Sequence, residues 1–158
     1  MRYLKRIILF TLLISYVILT GFQNRQINWK YYEIGMKKYG YLIKTESYNT
    51  KLPESLIEAV ICAETAQWNE TAHNRKSNCI GLMGIKSNGT KEDITKLKNP
   101  SNNIRLGSKI LLHKIKTHGG WFKGLTRYGN SKKYAKMVLR FYNDIEKYKK
   151  ENSYLNGK

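Results

Sequence analysis

Apolar residues fall at helical steps in several stretches of this chain, and the best marked is Leu56, Ile57, Val60, Ile61, Glu64 and Trp68. Three- and four-residue spacing places them on one face of a single predicted helix. Pro53 stands at its expected first position, and Glu54 follows in the turn where the helix dipole favours an anion. Further on, Ile104, Gly107, Ile110 or Leu111, and Ile115 predict a helix from Ser101 that ends at His118-Gly119-Gly120. Trp121, Phe122, Leu125 and Tyr128 predict a short one, and Tyr134, Met137, Val138, Phe141, Tyr142 and Ile145 the last. Before all of these, Tyr31, Ile34, Lys38, Tyr41 and Leu42 outline an imperfect first helix that Gly35 and Gly40 interrupt.

Between the periodic stretches the composition is that of loops. Thr45–Lys51 and Asn69–Asn78 are polar and aperiodic, and so is 86–98, where Asp93 before Ile94 is a candidate cap. Ile80-Gly81-Leu82-Met83-Gly84-Ile85 reads either as a short buried strand or as a tight backbone bend that approaches a ligand closely. The fold class expected is therefore mainly α, a compact helical domain with long loops. Residues 31–146 would form that domain, after a linker over 23–30, and from Lys147 a charged tail would fray.

The first residues are different in kind. Arg2, Lys5 and Arg6 precede sixteen uncharged residues, Ile7 to Phe22, which have the shape of an export signal or a membrane anchor, so 1–22 is set apart as that segment. No small-x-small cleavage pattern follows, which favours an uncleaved anchor in an inner membrane. The positive-inside rule would then leave the N-terminus in the cytoplasm, although Arg25 and Lys30 weaken the charge contrast. At 158 residues the chain has room for one domain with a proper core.

The formal charge is +18, which points to an acidic partner: nucleic acid, anionic lipid or the anionic polymers of a bacterial wall. Nucleic acid is the least supported, because the basic residues are spread along the chain and no nucleic-acid motif occurs. Two cysteines, Cys62 and Cys79, are too few for a four-ligand zinc site, and His73, His113 and His118 show no ligand spacing with them, so neither metal nor cofactor is expected. A Cys62–Cys79 disulfide and a pair of small buried hydrophobes are equally open readings.

Candidate chemistry centres on Glu64, which lies inside the apolar stripe. Burial penalises a charged carboxylate and raises its pKa, which is what a general acid near neutral pH requires. The plainer reading is a glutamate at the edge of the stripe whose carboxylate reaches water. Periodicity alone does not separate the two.

Glu64-Thr65 at a helix end, Gly81-Leu82-Met83 seventeen residues on, Asn99-Pro100 with Asn103-Ile104 and Gly107, Gly120-Trp121 leading to Arg127-Tyr128, and Tyr134-Ala135 opening an apolar helix form an ordered set. In order and spacing it resembles the lytic transglycosylases of the goose-lysozyme-like fold, from about Tyr31 to Phe141. The N-terminal segment, the loop His73–Asn78 before Ile80 and the stretch His118–Trp121 resemble the small members that accompany secretion, conjugation and phage entry machinery. The resemblance implies a lysozyme-like domain whose cleft binds the N-acetylglucosamine and N-acetylmuramic acid strand of peptidoglycan. It implies Glu64 as the sole catalytic carboxylate, Gly81, Leu82 and Met83 lining the cleft, and Tyr128 facing Glu64. Thr65, Asn130 and Tyr134 are the remaining positions carried over as substrate contacts. Such an enzyme would be exported, periplasmic or tethered to the cytoplasmic membrane, and would open or remodel the wall locally.

Two departures from the family pattern bear on substrate preference. Gly84 stands where the family has Gln after Gly-Leu-Met, and Tyr128-Gly129-Asn130 stands where it has Tyr-Asn. Ordinary glycosidases use two carboxylates, but Glu58 and Glu70 lie six residues to either side of Glu64, roughly 120° off its face of a helix. A one-carboxylate route to a 1,6-anhydro product therefore fits better. Rival readings are a hydrolytic muramidase (lysozyme or phage lysin) on the same fold, a catalytically weak wall-binding or scaffold protein, and a membrane-tethered nucleic-acid binder.

Overall fold

A computed structural model describes residues 25–156, with side chains as far as 153. The apolar run of 7–22, with its expected role as signal or anchor, lies outside the described residues. No described helix is long and apolar enough to cross a membrane. Six helices and one small sheet make up the described chain: α1 Trp29–Thr50, α2 Glu54–Glu64, β1 His73–Asn74, β2 Cys79–Ile80, β3 Ile85–Lys86, α3 Lys91–Lys98, α4 Pro100–His118, α5 Trp121–Tyr128 and α6 Lys132–Asn156.

Everything is built around α2. Every residue from Ser55 to Ala63 is buried, so this helix is covered on all sides. Its neighbours α1 and α6 flank it, while α4 packs on α1 and α5, and α5 on α6. The helix stops at Glu64, four residues earlier than periodicity predicts. Trp68 follows in a turn at φ 53°, its N–H donating to the Thr65 carbonyl at 2.8 Å. It is nonetheless a core residue, which is why its spacing imitates a helical continuation.

The seat of Trp68 also explains α1. A Cβ on Gly35 would lie 2.2 Å from the Trp68 ring, so Gly35 admits the indole and does not interrupt the helix. With Tyr32 edge-on to that indole at 5.8 Å and Tyr39 stacked at 6.4 Å, this aromatic packing outweighs the weak helix propensity of glycine. Helix α1 accordingly runs unbroken through Thr45–Thr50, expected as loop, and closes on Lys51 at φ 60°, whose N–H donates to the Ser47 carbonyl.

The loop Asn69–Asn78 is also more ordered than its composition suggests. The three two-residue strands pair antiparallel in the order β1-β2-β3, with His73 opposite Ile80 and Ile80 opposite Ile85. Helix α3 occupies most of the polar 86–98 stretch. Its cap is Thr90, whose Oγ1 accepts from the Asp93 N–H at 3.2 Å, while Asp93 reaches back to Ser87 Oγ and Asn88 N–H. Asn99 caps α4, with Pro100 in its first turn, and Gly119 at φ 72° ends it.

The tail expected to fray from Lys147 is the last part of α6. Tyr148 stacks on Trp29 at 4.2 Å and Lys149 reaches the buried Glu58 at 2.7 Å. Apolar spacing runs out in this stretch, and the partners that hold it come from the far end of the sequence. Trp29, expected in the linker, opens α1 for the same reason.

Candidate active site

Glu64 is the last residue of α2, half-buried, with its carboxyl lying on the backbone of Gly84. A Cβ at Gly84 would come within 2.3 Å of Glu64 Oε2. Gly84 has φ 57° and Gly81 φ 76°, so the segment between them is a tight bend in the left-handed region that glycine tolerates. Both readings of Ile80–Ile85 are thus present, two short strands joined by that bend.

Nearly every polar backbone group of the bend is held, and by different elements. Asn103 of α4, itself buried, donates from Nδ2 to the carbonyls of Ile80 at 2.9 Å and Leu97 at 2.8 Å, and its Oδ1 accepts from Met83 N–H at 2.8 Å. Thr65 Oγ1 donates to the Leu82 carbonyl at 3.2 Å. Tyr128 Oη, from α5, donates to the Met83 carbonyl at 2.8 Å. Gly81 N–H goes to the Ala72 carbonyl and Gly84 N–H to the Gly81 carbonyl. A backbone so fully satisfied is rigid, and it is the surface on which Glu64 rests.

The electrostatics follow from this seat. Burial pushes the Glu64 carboxyl above the usual carboxylate range, and nearby Tyr134 and Arg25 pull it only part of the way back. Tyr134, from α6, has a buried hydroxyl directed at Glu64 that falls short of a well-formed bond and so counts as buried without a partner. Tyr128 stacks on Tyr134 at 6.4 Å and is held neutral by its own burial and by the charge of Glu64. Among the described residues, the other carboxylates near α2 and the bend are directed elsewhere. Glu58 is turned to Lys149 and Tyr32, Glu70 to Lys38, and Asp93 to Ser87.

Of the positions taken from the sequence, Glu64, Tyr128 and Tyr134 are brought together around the bend. Leu82 and Met83 are in the core with no exposed surface, Gly81 is buried against Asn103, and Thr65 is buried with its hydroxyl engaged. These four shape the floor beneath Glu64, where Met83 fills the space above Gly107, a Cβ there lying 2.6 Å from its sulfur. Asn130 is exposed at φ 56° in the turn between α5 and α6. The Gly129 before it is where Tyr134 packs, since a Cβ there would lie 2.2 Å from the ring. Cys62 and Cys79 are free thiols, Cys62 buried and its thiol pushed up to about 12 by that burial.

Asn103 is the residue whose role the sequence left unread. Its position next to Ile104 on an apolar stripe was the available signal, since a buried amide there needs three partners. Among the described residues no group of three or more His, Cys, Asp or Glu could hold a metal ion. Compared with curated proteins, the chain matches none. The family model for the Transglycosylase SLT domain matches residues 41–153, which takes in Glu64, the whole bend, Asn103, Tyr128 and Tyr134. Spanning well over half of the sequence, that match establishes that the chain belongs to the Transglycosylase SLT domain family.

Proposed function

We propose that the protein is a peptidoglycan lytic transglycosylase that cleaves the β-1,4 bond between N-acetylmuramic acid and N-acetylglucosamine using Glu64 alone. The observation that carries this reading is a half-buried carboxyl with a raised pKa, seated on a rigid glycine bend with no second carboxylate acting on it among the described residues. Membership of the family gives peptidoglycan as the substrate and a site of action outside the cytoplasm.

In the proposed reaction the protonated Glu64 gives its proton to the bridging oxygen as the bond from muramic C1 to that oxygen breaks, releasing the N-acetylglucosamine hydroxyl. The resulting carboxylate stands beside the oxocarbenium-like C1 and stabilises it. It then takes the proton from the muramic C6 hydroxyl while that oxygen bonds to C1. Glu64 ends protonated, water is not consumed, and the product carries a 1,6-anhydro ring. The bend carbonyls at Ile80, Leu82 and Met83 already receive protein donors, so the substrate's own acetamido group is the better source of further stabilisation. Exported on or from its 1–22 segment, such an enzyme would open the wall locally, as the small members that serve secretion, conjugation or phage entry do.

Digestion of purified sacculi followed by mass spectrometry tests the reading. Anhydromuropeptides are the expected products. Muropeptides with reducing ends would reassign the chain to hydrolysis, and an undigested sacculus would leave a wall-binding protein.

A further inference from the structure

A charge from outside the six helices reaches the candidate site. Arg25 precedes α1, and its Nη1 donates to the Ala63 carbonyl at 2.8 Å across 38 residues of sequence. Ala63 is the neighbour of Glu64, and its carbonyl belongs to the last turn of α2, where carbonyls lack helical partners and the dipole is negative. The backbone of Arg25 is held in turn by Arg140 of α6, whose Nη2 donates to the Arg25 carbonyl. Arg25 thus bridges the end of the helix that carries Glu64 and the helix that carries Tyr134.

We propose that Arg25 is a positioning residue for the acid–base step: by binding the Ala63 carbonyl it fixes the end of α2 and keeps a permanent positive charge beside the Glu64 carboxyl, stabilising the carboxylate that exists between proton donation and proton retrieval. The inference rests on the role proposed for Glu64 and adds what sets its acidity. A buried acid faces opposing demands here, since burial keeps the proton on and the reaction must take it off. A guanidinium at the rim favours the second state without removing the apolar seat that secures the first.

The groups facing Glu64 are consistent with this. From α6 comes Tyr134 and from α5 Tyr128, both kept neutral by burial. The bend contributes Gly84, which has no side chain, and on α2 itself Glu58 is turned to Lys149. Among the described residues Arg25 is therefore the cation that acts on Glu64, and it pulls the pKa values of Glu64, Cys62 and Tyr134 downward against the rise that burial gives them. Because Arg25 is exposed, its effect is partly screened and depends on salt.

The test uses the full chain carrying Arg25→Gln, which retains a donor for the Ala63 carbonyl but no charge, and Arg25→Lys, which retains the charge. The titration midpoint of Glu64 is read by NMR of the labelled carboxyl carbon, and the pH–rate profile on sacculi is read beside it. In the Gln variant the midpoint should rise by about half a pH unit at low salt, and the alkaline limb of the profile should move up with it. The difference should shrink at about 1 M salt, and the Lys variant should titrate near the parent.

An unmoved midpoint in the Gln variant at low salt overturns the proposal. Should that variant not fold, the midpoint in the unaltered chain must itself rise with added salt, and a flat response overturns the proposal equally. Glu64 titrating as expected in a chain that cleaves no wall would refute the transglycosylase reading and not the electrostatic role. Cleavage with an unmoved limb would refute the role of Arg25 alone.

Discussion

Helix α2 carries two desolvated glutamates, Glu58 and Glu64, and the molecule treats them in opposite ways. Glu58 has no exposed surface, yet both its oxygens are engaged: Lys149 Nζ donates to Oε1 at 2.7 Å and Tyr32 Oη to Oε2 at 2.9 Å. Burial raises its pKa, and Lys149 and Tyr32 work against that rise. Glu64 is less buried, but it meets an incompletely bonded tyrosine hydroxyl and a bare glycine, with a guanidinium bound to the carbonyl of the preceding residue. Burial met by partners makes a structural tie between α1, α2 and α6. Burial left partly unmet makes a group whose proton can be moved, and such groups cluster at functional sites.

The sharpest way to break that distinction is to neutralise each carboxylate in turn. Glu64→Gln should lower wall cleavage by about a thousandfold or more, the scale of a general acid–base contribution, with the fold retained. Glu58→Gln should leave turnover per folded molecule close to the parent. Equal losses of turnover from both variants, measured as muropeptide release against the folded fraction by circular dichroism, would show that the two sites do not differ in kind.

The converse perturbation strands a charge where the structure now pairs one. Lys149→Met should destabilise the fold by about 2–3 kcal/mol, because Glu58 would lose a charged hydrogen bond and keep its burial. Denaturant unfolding measures it, and a cost below about 0.5 kcal/mol, the range of an ordinary surface substitution, would mean that Tyr32 alone satisfies the carboxylate.

The sequence makes Glu64 legible and Glu58 nearly invisible, and the reason is physical. A carboxylate interrupting an apolar stripe just before a polar loop is a local signal, whereas the partners of Glu58 lie 26 and 91 residues away. The same limit hides the end of α6, held by Trp29 and Glu58, and the seat of Trp68 on Gly35, which periodicity converts into four more residues of helix. Helices α4 and α5 were readable because capping residues and glycines mark their ends. For Ile80–Ile85 the two glycines left a buried strand and a tight bend both open, and the positive φ at Gly81 and Gly84 shows the bend. The hydrogen bonds that make it rigid come from Asn103, Thr65 and Tyr128 and have no local trace.

Gly84 offers a finer probe, because Glu64 meets a bare backbone there, where Glu58 meets the donors of Tyr32 and Lys149. Gly84→Ala places a methyl against the Glu64 carboxyl, where Oε2 would lie 2.3 Å away. The end of a flexible side chain can retreat, so the fold should lose only about 1 kcal/mol, chiefly from a non-glycine residue at positive φ. Activity should fall about tenfold or more, since small misplacements of a reacting group are costly. Gly84→Gln, which adds a longer side chain at the same positive φ, should not rescue it. An unchanged rate in Gly84→Ala would mean that the carboxyl does not work from this seat.

The smallest effect expected is one of stability against pH. Folding raises the pKa of Glu64, so the folded state holds this proton more tightly than the unfolded state does. The resulting stabilisation is fully present below the unfolded pKa and is lost as pH rises through the folded one. As pH rises the unfolded state gives up this proton first, so a carboxyl at position 64 becomes progressively less favourable to the fold than a neutral side chain of the same shape. Glu64→Gln should melt close to the parent in acid and above it near neutrality, the gap opening upward from the ordinary glutamate pKa of about 4.3. Melting curves of both proteins across that pH range read it. A gap that stayed constant with pH would mean that burial does not raise the pKa of Glu64, and the reading of its carboxyl as a desolvated proton donor would fall.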